Sequence, residues 1–325
     1  MHFTPHHTLN IIEDAAFAGR MDQIRDQLEQ IRVSGDLLTR DGVRLFYEYF
    51  LVEKAIGSVV LLHGMSEFTC KHYELAYYLM EQGYHVFLYD QRGHGRSQRL
   101  TDRIDLIHVD DFSDFVEDLQ EFLERIVKPA ATEPLYLYGH SMGGAVSLLH
   151  LAAYPGTFRR AVISSPLFEP IVAVPNWLAY LSSKWDQLRR GPKTPLTHGK
   201  GFIARIPEEW KNDPACSRNK YMMQLRIDNE EYQTTPLSAG FALQTLYLTP
   251  RLLKVAKAIT TPHLLISGTE DTVVKIHPHG RFAKKAPLCQ FLSIPGGKHA
   301  MMCDDQESAA VHTHLVLDYF REGQP

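Results

Sequence analysis

Apolar and polar positions along this 325-residue chain form two alternating patterns. The first is a set of short, continuously apolar runs: Ser58-Val59-Val60-Leu61-Leu62, Tyr84-His85-Val86-Phe87-Leu88-Tyr89, Leu135-Tyr136-Leu137-Tyr138 and Ala161-Val162-Ile163-Ser164. Runs this short, with no polar alternation, read as strands buried on both faces of a parallel sheet. Between them, 71–82, 112–127 and 144–153 read as helices. In the second of these, Phe112, Phe115, Leu119, Phe122, Leu123 and Ile126 recur at helical spacing. Alternating strand and helix predicts a doubly wound α/β fold. Upstream, Ile12, Phe17, Met21, Ile24, Leu28 and Ile31 form one apolar stripe on an otherwise polar helix at 9–31, expected to pack on the surface of the main domain. Residues 36–50 read as a hairpin turning at Asp41-Gly42.

The alternation stops between 166 and 259. This stretch is rich in Trp, Pro, Met and Tyr, holds all three tryptophans and shows no clear strand, so it reads as a helical insertion. Strand patterns resume at 263–267 and 290–294, and a helix at 306–320 closes the chain. The expected division is an N-terminal helical extension (1–35), a first part of the core (36–165), an inserted helical cap (166–259) and a second part of the core (260–325).

Composition narrows the function classes. Apolar residues make up 44% of the chain, enough for a sizeable core. The net charge is -4 with Lys and Arg dispersed, and no basic block points to nucleic acid. Cys70, Cys216, Cys289 and Cys303 lie far apart and form no C-x-x-C pair, which favours reduced thiols over a metal site or a disulfide framework. No basic start with an apolar h-region is present, because Glu13 and Asp14 interrupt, and no run reaches the length of a membrane span. A cytoplasmic location is expected.

The most informative residues are Gly139-His140-Ser141-Met142-Gly143, which follow one apolar run and precede a helix-like segment. A serine at the apex of a sharp strand-to-helix turn is a nucleophile elbow. Its hydroxyl is exposed at a helix N-terminus, where free amides favour developing negative charge. A serine nucleophile needs a base, and the base an orienting acid. In this fold order both follow the serine, in loops at strand C-termini. Asp271, in Ser267-Gly268-Thr269-Glu270-Asp271, is the candidate acid, with Glu270 its neighbour and rival. His299, in Pro295-Gly296-Gly297-Lys298-His299, is the candidate base. An oxyanion hole needs two backbone N–H groups. Met142 supplies one, and Met65, in the His63-Gly64-Met65-Ser66 loop, is the choice for the other. The Asp90-Gln91-Arg92-Gly93-His94-Gly95-Arg96-Ser97 loop reads as mostly structural, held by Asp90, Arg92 and Ser97. It lacks the G-x-G-x-x-G run of a dinucleotide site.

Taken together, the His63-Gly64-Met65, Asp90–Ser97, Gly139–Gly144, Gly268–Asp271 and Gly297–His299 motifs resemble the α/β-hydrolase branch that contains monoacylglycerol lipases and bacterial lysophospholipases. The resemblance covers roughly residues 36–322. It implies an α/β-hydrolase fold, a Ser141-Asp271-His299 triad, oxyanion amides at Met65 and Met142, and a helical cap. It departs from the family at Gln91, often histidine there, and at Met65, often a small residue. The cap segment from Asn219 to Asn229 is closer to the bacterial lysophospholipases.

The expected chemistry is ester hydrolysis through an acyl-enzyme, with no metal or organic cofactor. Trp177, Leu181 and Trp185, on one helix after Pro175, are expected to bind the acyl chain of a small amphiphilic lipid ester, or in part to touch a membrane surface transiently. Arg189, Arg190, Lys193, Lys200, Arg205, Lys220 and Arg226 are candidates for a phosphate headgroup. Alternatives are a short-acyl carboxylesterase, a proline-type aminopeptidase with Glu208, Glu209, Glu230 and Glu231 as an anionic recess, and a catalytically inactive binding protein.

Overall fold

A computed structural model describes residues 2–7, 9–197 and 202–322. Lys200, one of the headgroup candidates, lies outside the described residues. In chain order the main elements are α1 (Phe17–Ile31), β1 (Val33–Leu38), β2 (Arg44–Phe50), β3 (Gly57–Leu62), α2 (Tyr73–Glu81), β4 (Tyr84–Tyr89), α3 (Ser113–Phe122), α4 (Lys128–Ala130), β5 (Leu135–His140), α5 (Met142–Ala153) and β6 (Arg160–Ser164). They continue with α6 (Asn176–Arg190), α7 (Ser217–Asp228), α8 (Ala239–Leu246), α9 (Leu248–Val255), β7 (His263–Gly268), α10 (His277–Ala283), β8 (Cys289–Ile294) and α11 (Gln306–Arg321).

The strands form one eight-stranded sheet in the order β1-β2-β4-β3-β5-β6-β7-β8. β1 pairs antiparallel with β2 and β2 with β4, and every other pairing is parallel. Each continuously apolar run is a strand. β3, β4, β5 and β7 are buried along their whole length because helices cover both sheet faces. Alternate residues serve opposite cores: Val59 and Leu61 join one, Val60 and Leu62 the other. The chain has the doubly wound, mostly parallel sheet expected from its pattern, in the α/β-hydrolase architecture that the resemblance implies.

The N-terminal helix is shorter than its periodicity suggests and more deeply embedded. α1 starts at Phe17, directly after a 3-10 turn at Asp14–Ala16, and helix does not extend back to residue 9 because the Ile12 backbone is bonded to distant side chains. Ile12 N–H donates to the Tyr78 hydroxyl at 2.9 Å, and the Ile12 carbonyl accepts from Arg218 at 2.7 Å. Phe17, Met21, Ile24, Leu28 and Ile31 are all buried, and α1 packs against both α2 and α7. The fully buried Arg218 of α7 also pairs with Asp14 and, at 3.1 Å, with Glu74 of α2. One guanidinium therefore ties the N-terminal segment, the core and the insertion together. β1 begins at Val33, within the segment read as an extension.

The stretch between β6 and β7 is helical, as its composition suggests, but it divides. α9 packs on α5, and Leu248, Leu252 and Ala256 enter the core beneath the sheet. That is the place of a crossover helix. α6 instead lies against α8. Among the described residues no helix is long and apolar enough to cross a membrane.

Burial of five histidines is expected to make this fold acid-sensitive. It pushes His94, His150 and His312 down to about 3, and His140 and His279 down to about 4. Between those values and about 6.5 the unfolded chain binds protons at these positions and the folded chain does not. Their contribution is full above pH 6.5 and is lost as the pH falls. Each such histidine contributes up to about 1.4 kcal/mol per pH unit in that window. The urea unfolding midpoint is expected to be level above neutral pH and to fall steadily below about pH 6.5. An unchanged midpoint down to pH 5 would show that these imidazoles take up protons in the native state.

Candidate active site

The turn from β5 into α5 puts Ser141 at φ 51° and ψ -115°, in the left-handed region that L side chains rarely adopt. Such strain costs about 1–3 kcal/mol and persists only where packing enforces it. Here packing does. A Cβ at Gly143 would lie 2.5 Å from the Leu62 carbonyl and 2.6 Å from that of His63. A Cβ at Gly139 would strike the Ser147 hydroxyl and sit 2.7 Å from the Gly143 carbonyl. The elbow is pinned by hydrogen bonds from Ser141 N–H to the Ser164 carbonyl and from Leu167 N–H to the Ser141 carbonyl, at 2.9 and 2.8 Å.

The structure brings Ser141, His299 and Asp271 together from three loops. His299 Nε2 is 3.0 Å from Ser141 Oγ, and His299 Nδ1 is 2.7 Å from Asp271 Oδ2. The other oxygen, Asp271 Oδ1, accepts from the Val273 and Val274 amides at 2.8 and 2.9 Å. Asp271 is thereby oriented from both sides. Burial pushes its carboxyl up, but His299 and the two amides outweigh burial and hold it below the ordinary value. The Asp271 and His299 loops touch because Gly268 and Gly297 are bare. A Cβ on Gly268 would collide with the Gly297 carbonyl. Glu270 sends its N–H to that same carbonyl at 2.9 Å, and its side chain is exposed. A hydroxyl bonded to an imidazole that is held by a carboxylate can lose its proton as it attacks a carbonyl.

Met142 is the first residue of α5, so its N–H has no carbonyl one turn back within the helix. The 63–66 loop lies directly beside it. A Cβ at Gly64 would be 3.0 Å from the Ser141 Cβ. His63 Nε2 accepts from Gln91 N–H at 2.9 Å, which leaves Nδ1–H to donate to the Gly64 carbonyl at 2.7 Å. Gly64 N–H donates to Glu67 Oε2 at 2.6 Å. Met65 thus sits in a loop fixed at several points.

The reading of the sequence missed Glu67. Its carboxylate also pairs with Lys71, bonds His72 Nε2 at 3.2 Å and lies 3.4 Å from His140 Nε2. Burial raises its proton affinity, but Lys71, His140 and His72 outweigh that and hold it well below the carboxylate range. Lys71 is raised in turn: burial opposes its charge, and Glu67 more than compensates. The available signal was the i,i+4 spacing of Glu67 and Lys71 amid apolar and aromatic neighbours.

A cavity of about 140 Å³ opens beside this loop, lined by Ser66, Lys71, Trp210, Asn219, Met222 and Arg226 among others. Larger cavities of about 720 and 790 Å³ border α7, and none of the three is lined by Ser141, Asp271 or His299. The Asp90–Ser97 loop is a brace: Asp90 accepts from the Thr69 and Arg96 amides, and Arg92 forks onto Asp118 at 2.7 and 2.6 Å.

Trp177, Leu181 and Trp185, expected at an acyl site, are not placed as its lining. They are 66%, 53% and 60% exposed, because α6 turns Ser183 and Asp186 inward instead. Of the other headgroup candidates, Arg189 and Arg190 lie on α6. Lys220 lines the 720 Å³ cavity and Arg205 the 790 Å³ one. Glu208, a candidate for an amine recess, is exposed and paired with Lys211 at 2.7 Å.

The chain is similar to several known proteins. The family described as serine aminopeptidase, S33, matches residues 53–306. Lysophospholipase L2 of Escherichia coli strain K12 is 27% identical over 317 residues, covering 95% of this chain and 93% of that protein. Monoglyceride lipase of Mus musculus is 30% identical over 236 residues, 72% of each chain. The crystal structure of Paleococcus ferrophilus monoacylglycerol lipase superposes with a TM-score of 0.65 at 20% identity, covering 86% of this chain and 99% of that one.

Gly268→Ala is the sharpest test of the contact between the two loops. It is expected to destabilise the protein by about 1–3 kcal/mol. It is also expected to slow labelling of Ser141 by a fluorophosphonate by about 10²-fold. Wild-type stability and labelling rate would show that the loops part freely.

Proposed function

The chain belongs to the family described as serine aminopeptidase, S33, and from that premise we propose that it hydrolyses carboxylic esters of monoacyl lipids, with a lysophospholipid as the preferred class. The observation that carries the reading is the unbroken line from Ser141 Oγ through His299 to an Asp271 clamped by two amides.

In this proposal His299 Nε2 takes the Ser141 proton as Oγ attacks the ester carbonyl. Asp271 holds the imidazole with Nδ1–H toward it and balances the charge that forms. The amides of Met142 and Met65 receive the oxyanion. The alcohol leaves with the proton from His299, and water cleaves the acyl-enzyme by the same route. Glu67 acts through others: by bonding Gly64 it sets the loop that carries the Met65 amide.

Relatives named lysophospholipase L2 and monoglyceride lipase support a monoacyl lipid ester. The lysophospholipid preference is supported by Lys71, the partner of Glu67, and Arg226, which donates to the Tyr232 and Thr234 carbonyls: both line a cavity of about 140 Å³ beside the Met65 loop. A phosphodiester anion suits them better than an uncharged glycerol.

Ser141→Ala is expected to lower turnover of a lysophospholipid by about 10³-fold or more, measured by fatty-acid release. A loss below about tenfold would remove the serine from the mechanism. Arg226→Gln is expected to lower kcat/KM for lysophosphatidylethanolamine about tenfold, and for a monoacylglycerol of equal chain length by less than about threefold. Equal losses would mean that Arg226 only braces the Tyr232 and Thr234 carbonyls and the Thr235 hydroxyl that accept from it.

A further inference from the structure

Helix α6 is built inside out. Its only buried residues are Ser183 and Asp186. Trp177, Leu181, Trp185 and Leu188 are 66%, 53%, 60% and 71% exposed, and Leu178 is exposed beside them. At helical spacing these five side chains fall within an arc of about 100°. A surface helix of a globular protein normally turns that stripe inward. Here the polar side is engaged: Asp186 accepts from the Thr197 amide and hydroxyl and pairs with Arg190 at 3.3 Å. The orientation is therefore held by hydrogen bonds, and the apolar stripe is left outward.

Two further observations bear on what this face fits. First, the stripe is edged with positive charge. Helical spacing puts Lys184 on one side and Arg189 on the other, where Arg189 lies 5.4 Å over the Trp185 ring. The helix carries three basic residues, and its single acidic residue, Asp186, faces inward. Second, the apolar surface continues toward the active site. Ile171, Val172 and Val174, just before α6, are exposed, and Ile171 N–H bonds the Val273 carbonyl at 2.8 Å. Val273 is itself exposed and donates its amide to Asp271.

We propose that the outer face of α6, continued through Ile171–Val174 and Val273, docks on an anionic lipid bilayer. A tryptophan- and leucine-rich stripe edged with Lys and Arg is the composition that lies in the interface of such a membrane. Val273 is part of that surface, so docking brings the Asp271–His299 side of the site to the lipid.

Vesicle binding is tested on Ser141→Ala protein, so the result does not depend on which ester the enzyme cleaves. The probes are vesicles of phosphatidylcholine alone and of phosphatidylcholine with phosphatidylglycerol, read by co-sedimentation and by the blue shift of tryptophan emission. Binding to the anionic vesicles is expected, weakened by salt and by removal of phosphatidylglycerol. Trp185→Ser/Leu188→Ser and, separately, Arg189→Glu are each expected to weaken it about tenfold or more. Unchanged thermal unfolding would show that these exposed substitutions leave the fold intact. The proposal is overturned if the protein stays in the supernatant with both compositions, binds both equally, or binds as tightly after the substitutions. It is equally overturned if light scattering shows a dimer that these substitutions dissociate and that does not bind vesicles, because the face then belongs to a second copy of the chain.

Discussion

The approach of α5 to the C-terminal end of β3 is the constraint from which the rest of the site follows. The helix start passes so near the Leu62 and His63 carbonyls that only glycine fits at 143. That closeness forces Ser141 into its positive-φ conformation. It also sets the Met142 amide beside the 63–66 loop. The strain of about 1–3 kcal/mol is small beside the burial of β3 and β5 along their full lengths. The parallel sheet then presents the remaining loops at the same edge, the usual place for a site in an α/β sheet.

Charge completes what apolar packing cannot. Buried ion pairs add little net stability in general, because desolvation offsets attraction. Here they stand at joints between segments. Arg218 links Asp14, Glu74 and α7; Arg92 links Asp41 to Asp118; Glu67 links the Gly64 amide, Lys71, His72 and the neighbour of Ser141. Each fixes a loop whose position hydrophobic contact alone leaves loose. Glu67 matters most for chemistry, since the Gly64 amide it holds precedes the proposed oxyanion donor.

The insertion reverses the logic of the core. The core hides apolar side chains and exposes polar ones. α6 buries a serine and an aspartate and shows tryptophan and leucine to the outside. Serine-hydrolase chemistry and the exposed stripe meet at the Asp271–Val274 loop, where one residue's amide orients the acid and its side chain extends the apolar surface.

Much of this was legible in the residues themselves. The strands, the elbow at Ser141, the hairpin at Asp41-Gly42 and the loops carrying Asp271 and His299 are local: each depends on a short apolar run, a helical period or a turn residue. Sequence order alone then placed Asp271 and His299 after the serine. The structure supplied what periodicity does not encode. α1 begins late because Tyr78 and Arg218, far along the chain, take the Ile12 backbone groups. The stretch from 166 to 259 divides because α9 finds the α5 face of the sheet. Trp177, Leu181 and Trp185 were legible as apolar residues of one helix, but a helical period says only that one face differs from the other. Which face turns inward was decided by Thr197 bonding Asp186, a contact made in three dimensions.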